Sequence, residues 1–161
     1  MINITIIGKM GEGKTTFIRR YIKGRRSFLF DVNNEYKEVS TDTRKIVSRM
    51  TDLNHKDFIQ RCLDKRNTCC VFEDATGFIE GRLSDNFRKA LVSKRHTGNT
   101  NILVFHSILS VPPRLIQLSD YVVLFKTSDE DYQVERKYPS LLNHYRQIKN
   151  KPKYTFQLIK V

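Results

Sequence analysis

The chain has 161 residues, 39% of them hydrophobic and 29% charged, and carries a net charge of +12 from 29 Lys and Arg against 17 Asp and Glu. This composition fits one globular domain with a real core and excludes a disordered or fibrous chain. No apolar run approaches the ~20 residues of a transmembrane helix, and no targeting pattern precedes the first apolar stretch, so the expectation is a cytoplasmic protein without membrane contact. The positive excess points to an acidic macromolecular partner, nucleic acid first, with a merely solubilising surface as the alternative. Cys62, Cys69 and Cys70 lack metal-ligand spacing and read as buried thiols.

In chain order, residues 4–7 read as a buried strand. Residues 8–15 follow as a glycine-rich loop, and 15–23 as a helix. Residues 27–31 are a second strand. The polar stretch 32–52 reads as a loop with a weak helix. A helix over 55–65 carries Phe58, Ile59, Cys62 and Leu63 at helical spacing. Residues 68–72 are a third strand, with Cys69 and Cys70 on opposite faces. A helix over 82–95 carries Leu83, Phe87, Ala90 and Leu91. A strand over 102–105 precedes a short helix, Pro113–Leu118, that begins with proline. Tyr121–Phe125 is a fifth strand, 141–149 a last helix, and 154–159 an alternating sixth strand. Continuous apolar strands alternating with helices predict a single three-layer α/β domain over 1–161, with a mainly parallel sheet and right-handed crossovers.

The loop Gly8-Lys9-Met10-Gly11-Glu12-Gly13-Lys14-Thr15 matches the phosphate-loop spacing Gly-x-x-x-x-Gly-Lys-Ser/Thr. Its position between a strand and a helix argues against a chance glycine-rich turn. Gly8, Gly11 and Gly13 let backbone N–H groups close around phosphate oxygens. Lys14 reaches the β- and γ-phosphates, Thr15 offers its hydroxyl to Mg²⁺, and Glu12 and Thr16 complete the nucleotide-binding set. The loop reads as binding a nucleoside triphosphate with Mg²⁺. At the end of the third strand stand Glu73 and Asp74. Glu73 is the metal-side acid and Asp74 the group that orients or deprotonates the attacking water. The usual order is Asp then Glu, and Asp74 reaches about 1.5 Å less than a glutamate. One metal acid beside a solvated carboxylate is the alternative. The fourth strand ends in His106-Ser107, where either side chain can donate a hydrogen bond to a γ-phosphate. A structural imidazole is the competing reading of His106.

Four segments together resemble the FtsK–HerA superfamily, in particular small viral DNA-packaging ATPases. They are the phosphate loop, Phe30-Asp31-Val32-Asn33-Asn34-Glu35-Tyr36, Phe72-Glu73-Asp74-Ala75-Thr76, and the stretch from Lys94-Arg95-His96 through Ser119-Asp120-Tyr121 to Thr127. The resemblance implies a RecA-like sheet of order 5-1-4-3-2, counting strands as above. It also implies a homo-oligomeric ring, ATP-driven movement of DNA, viral portal or capsid partners, and a host-cytoplasm or virion location. The sensor place here holds His106 where glutamine or asparagine is commoner. Such rings complete each site with a neighbour's arginine, and Arg95, just before the fourth strand, is the first candidate, ahead of Arg88 and Arg82. Arg88 and Arg95 are seven apart and so share a helix face. The loop over 77–82, with Phe78 and Arg82, reads as a pore element. Arg19, Arg20, Lys23, Arg25, Arg26, Arg88 and Lys89 can track DNA phosphates without reading sequence.

Two other functions fit parts of this pattern. A small-molecule P-loop kinase fits the size and the arginines of 82–95. A nucleotide-binding assembly protein without turnover fits the inverted acids. A GTPase switch lacks its Asn-Lys-x-Asp and Asp-x-x-Gly motifs.

Overall fold

The central parallel strands are buried on both faces, and their side chains divide by parity. In a computed structural model that describes residues 1–31, 33–36, 47–50, 55–77, 79 and 83–161, the elements are β1 (Asn3–Ile7), α1 (Lys14–Ile22), β2 (Ser27–Phe30), β3 (Val47–Met50), α2 (His55–Asp64), β4 (Cys69–Phe72), α3 (Asp85–Val92), α4 (Lys94–Thr97), β5 (Thr100–Phe105), α5 (Pro113–Leu118), β6 (Tyr121–Phe125), α6 (Asp131–Lys137), α7 (Pro139–Lys149) and β7 (Phe156–Lys160). Ile4, Ile6, Val71, Ile102, Val104 and Val123 face one way and pack with Ile18 and Ile22 of α1. Ile7, Phe72, Leu103, Phe105, Val122 and Leu124 face the other and pack under the remaining helices. Cys70 joins this second layer and Cys69 the first, the opposed pair that strand alternation requires.

The sheet runs β3-β2-β4-β5-β1-β6-β7. Its first six strands are parallel, and β7 pairs antiparallel with β6, Val123 opposite Leu158. The order 5-1-4-3-2 implied by resemblance is the middle of this sheet, extended by β3 at one edge and β7 at the other. The second layer is aromatic: Phe28 stacks on Phe58 at 4.4 Å, Phe58 meets Phe72 edge-on at 5.2 Å, and Phe72 meets Phe87 at 5.0 Å. Such pairs add about 0.5–1.5 kcal/mol each beyond area burial.

The N-terminal edge of the sheet is closed by amides. Asn3 Nδ2 donates to the carbonyls of Leu91 and Leu118, and Asn101 Nδ2 donates to Asn3 Oδ1 at 2.9 Å and to the Ala90 carbonyl. These bonds satisfy helix-end carbonyls that would otherwise lie buried without donors.

Three expectations need correction. Within 32–52, residues 33–36 form the expected loop and 47–50 a strand, β3, that was not expected, while the expected weak helix falls on residues outside those described; Val47-Ser48-Arg49-Met50 is too polar to advertise itself and is recruited by pairing with β2. Residues 32, 37–46 and 51–52 lie outside the described residues. The helix read over 82–95 is two helices: Ser84 caps α3, accepting from the Phe87 N–H at 3.3 Å, and the chain breaks at Ser93 before α4. Arg88 and Arg95 therefore do not share one helix face. Helix α6 was not expected; its seven residues hold one buried apolar side chain, Val134, too few to show a period.

Candidate functional site

Parallel strands deliver their C-terminal ends to one edge of the sheet, and the phosphate loop, the acid pair and His106 all follow such ends. The loop is pinned to its neighbours. Gly8 N–H donates to the Phe105 carbonyl at 3.0 Å and Lys9 N–H to that of Lys126 at 2.9 Å. A Cβ on Gly8 would stand 2.5 Å from Phe125 Cβ, so only glycine fits. Helix α1 then begins without a side-chain cap and with no acid in its first turn. Its first intrahelical bond is Phe17 N–H to the Gly13 carbonyl, so the N–H groups of Gly13 to Thr16 point into the cleft at the positive end of the helix dipole. That is an anion site by construction.

Lys14 is 7% exposed. Its ammonium donates to the Lys9 carbonyl at 3.0 Å and lies 3.3 Å from His106 Nδ1. Burial pulls its pKa below the ordinary value, against the opposing pull of Glu73, Glu35, Asp74 and Glu12. On the other side His106 Nε2 lies 3.5 Å from Asp74 Oδ1. A charged Lys14 can only donate, so Nδ1 accepts and Nε2 carries the proton toward Asp74. His106 thus bridges the phosphate-loop lysine and the second acid. Asp74 itself sits in the left-handed region at φ 48°, a conformation aspartate tolerates better than most residues.

Glu73 is held differently. Its Oε1 accepts from the Tyr36 hydroxyl. Burial pushes its carboxyl up to about 7, with Tyr36 and Lys14 resisting and Glu35 reinforcing the rise. Tyr36, buried at 0% exposure, has its phenol raised in turn, first by burial and then by Glu73.

Glu35 is the group that reading the sequence did not single out as a site residue. Asp31 folds the chain back after β2 by accepting from the N–H groups of Glu35 (2.8 Å) and Tyr36 (3.1 Å). That turn brings Glu35 Oε2 within 2.6 Å of the Thr15 hydroxyl, which donates to it, and its carbonyl accepts from Arg19. The signal was present in the motif Asp31 to Tyr36, but the reach of Glu35 across to Thr15 depends on a tertiary turn.

The remaining expected residues fall as follows. Glu12 is buried beneath the loop, 3.8 Å from Lys9, and its Oε2 lacks a partner among the described residues. Thr16 is exposed on the first turn of α1. Ser107 turns away from the cleft and donates to Asp129, whose other oxygen accepts from the Ile108 N–H at 2.8 Å; His106 is the one of the pair that faces Lys14. Arg95 lies on α4, ahead of the N-terminal end of β5 and near Asp120, whose carboxyl is lowered, against burial, chiefly by Lys94 and the Asn3 N–H, with Arg95 adding least. The structure therefore brings Lys14, Thr15, Glu73, Asp74 and His106 around one cleft of about 520 Å³ and leaves Arg95 at the opposite edge of the sheet. Phe78 and Arg82 lie outside the described residues.

The cleft suits a magnesium nucleoside triphosphate. It offers uncapped N–H groups, a buried cation and hard oxygen donors on Thr15, Glu73, Glu35 and Asp74. Among the described residues no group of three or more His, Cys, Asp or Glu is placed to hold a metal ion.

No protein-family model and no curated protein sequence matches the chain. Solved structures do. The DNA-packaging ATPase B204 of Sulfolobus turreted icosahedral virus is 17% identical, with a TM-score of 0.79 over 99% of this chain and 92% of that one. The genome packaging NTPase of Sulfolobus turreted icosahedral virus 2, in complex with ATP-gammaS, is 16% identical with a TM-score of 0.79 over the same shares. The conjugation coupling protein TcpA of pCW3, with ATPgS, is 12% identical with a TM-score of 0.57 over 99% of this chain and 57% of that one. No described helix is long and apolar enough to cross a membrane. The likeness of fold extends over the whole chain, and with the phosphate loop at its expected strand end this is an α/β protein with the RecA-like P-loop NTPase fold.

Proposed function

We propose that this chain is an ATP-hydrolysing motor subunit that couples hydrolysis to movement of DNA, as in genome packaging. One observation carries the reading: a buried Lys14 faces an uncapped helix N-terminus on one side and Glu73, Asp74 and His106 on the other. Bound Mg²⁺ would be held by Thr15 and Glu73 and would neutralise charge developing on the phosphoryl oxygens. The chain's own groups do the rest. Lys14 and the N–H groups of the loop fix the phosphates. Asp74, oriented by His106, accepts the proton of the attacking water. Glu35 is a second, longer carboxylate at the same cleft and compensates for the short reach of Asp74.

The likeness of fold to packaging and conjugation ATPases supports DNA as the track. So does the exposed basic run at the end of α1 and the following turn, Arg20, Lys23, Arg25 and Arg26. Contacts to phosphates would be sequence-independent and steeply salt-dependent. A ring of identical chains would supply a trans cation, and Arg95, remote from its own cleft, is available for that role.

The test is ATP turnover with and without double- and single-stranded DNA, at low and moderate salt, for wild type and Lys14→Ala. Stimulation by DNA, weakened by salt and lost in the variant, is the expected result. DNA binding without hydrolysis in any oligomeric state would sink the motor. Phosphoryl transfer to a nucleoside or sugar panel with little hydrolysis would install a kinase instead.

A further inference from the structure

Strand β7 closes the sheet beyond β6, and only one of its two backbone edges is paired among the described residues. The register says which groups are left. Val161 stands opposite Asp120 and donates its N–H to the Asp120 carbonyl at 3.2 Å. Hydrogen-bonded positions alternate along an antiparallel pair. Ile159 and Gln157, opposite Val122 and Leu124, therefore also turn their N–H and C=O groups toward β6. Phe156, Leu158 and Lys160 turn theirs outward, where no described strand meets them.

The side chains of these same residues share one face of the sheet, the face that carries α1. Phe156 meets Phe17 of α1 edge-on at 5.1 Å, yet is 43% exposed. Leu158 is 61% exposed, whereas Ile159, on the other face, packs against the core. An open backbone edge beside apolar side chains is a template for a further strand, and proteins guard such edges with lysine. Here the guard has one sign. Lys151 and Lys153 before the strand and Lys160 at its end are exposed, as is Arg20, which lines the same face beside Phe156. Among the described residues no acid pairs with any of these cations.

We propose that the outer edge of β7 is a docking site for an extended acidic segment of another protein. That segment joins the sheet as one more strand, with apolar side chains over Phe156 and Leu158 and carboxylates against Lys153, Lys160 and Arg20. The open backbone selects a peptide, because a nucleic acid has no alternating N–H and C=O groups to match it. The charge selects an acidic one. A second copy of this chain would bring its own +12 and a second set of the same cations to the contact, and like charge at an interface is repulsive. The lysines that keep copies apart thus draw in a strand of opposite sign. The inference stands apart from the motor reading, since it uses no nucleotide contact.

The experiment measures fluorescence anisotropy of a labelled decapeptide of alternating Val and Glu, of its Val–Lys twin, and of labelled DNA, each titrated with the full chain. The proteins are wild type, Leu158→Pro, Leu158→Glu, and Lys153→Glu combined with Lys160→Glu, with a thermal melt of each. Proline at 158 removes an outward N–H only, and edge strands accept it where that group faces solvent. Wild type should prefer the Val–Glu peptide to its twin by at least about 10-fold. Leu158→Pro should weaken that peptide about 10-fold, the worth of a hydrogen bond with its apolar contact. Leu158→Glu and the double reversal should weaken it at least as much, with salt doing the same to wild type. Should the proline variant melt early, Leu158→Glu carries the test, because the position is exposed. Wild type that binds neither peptide, or both alike, overturns the proposal. So does self-association that Leu158→Glu abolishes, which gives the edge to a second copy. DNA bound in place of the Val–Glu peptide, and weakened by the double reversal, assigns the cations to nucleic acid and overturns it too. None of these outcomes involves ATP turnover, so each leaves the motor proposal standing.

Discussion

Replacing Glu73 with glutamine should stabilise the protein in alkaline solution while stopping ATP turnover. In the fold the Glu73 carboxyl titrates at about 7, against an ordinary 4.5, because burial disfavours its charge. A folded pKa above the unfolded one means the fold favours the protonated form. That contribution is complete below pH 4.5 and is lost as pH rises through about 7. The gap, at about 1.36 kcal/mol per pH unit, amounts to about 3 kcal/mol. Glutamine carries no charge to desolvate and its carbonyl still accepts from Tyr36. It forgoes the loss, so the variant should gain on wild type as pH rises, by up to about 3 kcal/mol at pH 8. For a chain of this length that is roughly 6–12 °C in Tm. Thermal unfolding of both proteins without nucleotide or metal, at steps from pH 4 to pH 8, reads the difference directly, and other titrating groups cancel in it. A difference that stays flat across this range, or that grows toward low pH, refutes the reasoning about Glu73.

Lys14→Met should lose ATP turnover by at least about 10²-fold, as expected for a group that stabilises charge on the transferring phosphoryl. Its melting temperature should hold or rise, because a cation that burial opposes is gone; turnover and a melt check both. Phe58→Ala should cost about 3–5 kcal/mol, roughly 6–20 °C in Tm, since Phe58 touches Phe28, Phe30 and Phe72 at once. Asp129→Asn should cost about 1.5–3 kcal/mol in denaturant unfolding and lower turnover, because an amide cannot accept from both Ser107 and the Ile108 N–H.

The parts legible in the sequence are those set by local spacing. Residues 8–15 announce the loop because the motif needs its glycines and lysine at fixed offsets. The five principal parallel strands announce themselves because burial on both faces leaves unbroken apolar runs such as Ile102-Leu103-Val104-Phe105. What stayed hidden depends on distant partners. β3 is a strand only because β2 offers it an edge. Glu35 reaches Thr15 only because Asp31 ties the turn. Arg95 was legible only as a cation before β5; that it stands where a parallel strand begins, away from its own cleft, follows from the topology. The alternation of residues 154–159 was readable as a strand, whereas the exposure of Phe156 beside the phosphate loop follows from antiparallel pairing with β6.

Asp129 gives the site a mechanical character. Its carboxylate grips Ser107 and Ile108, the two residues after His106, and its own carbonyl is gripped by the Tyr145 hydroxyl from α7. His106 is therefore the tip of a lever, with its fulcrum at Asp129 and its far arm on the last helix. Hydrogen bonds have a few tenths of an ångström of slack. A larger swing of the imidazole, such as would follow the loss of a terminal phosphate from Lys14, must either break one of these bonds or carry the load to α7.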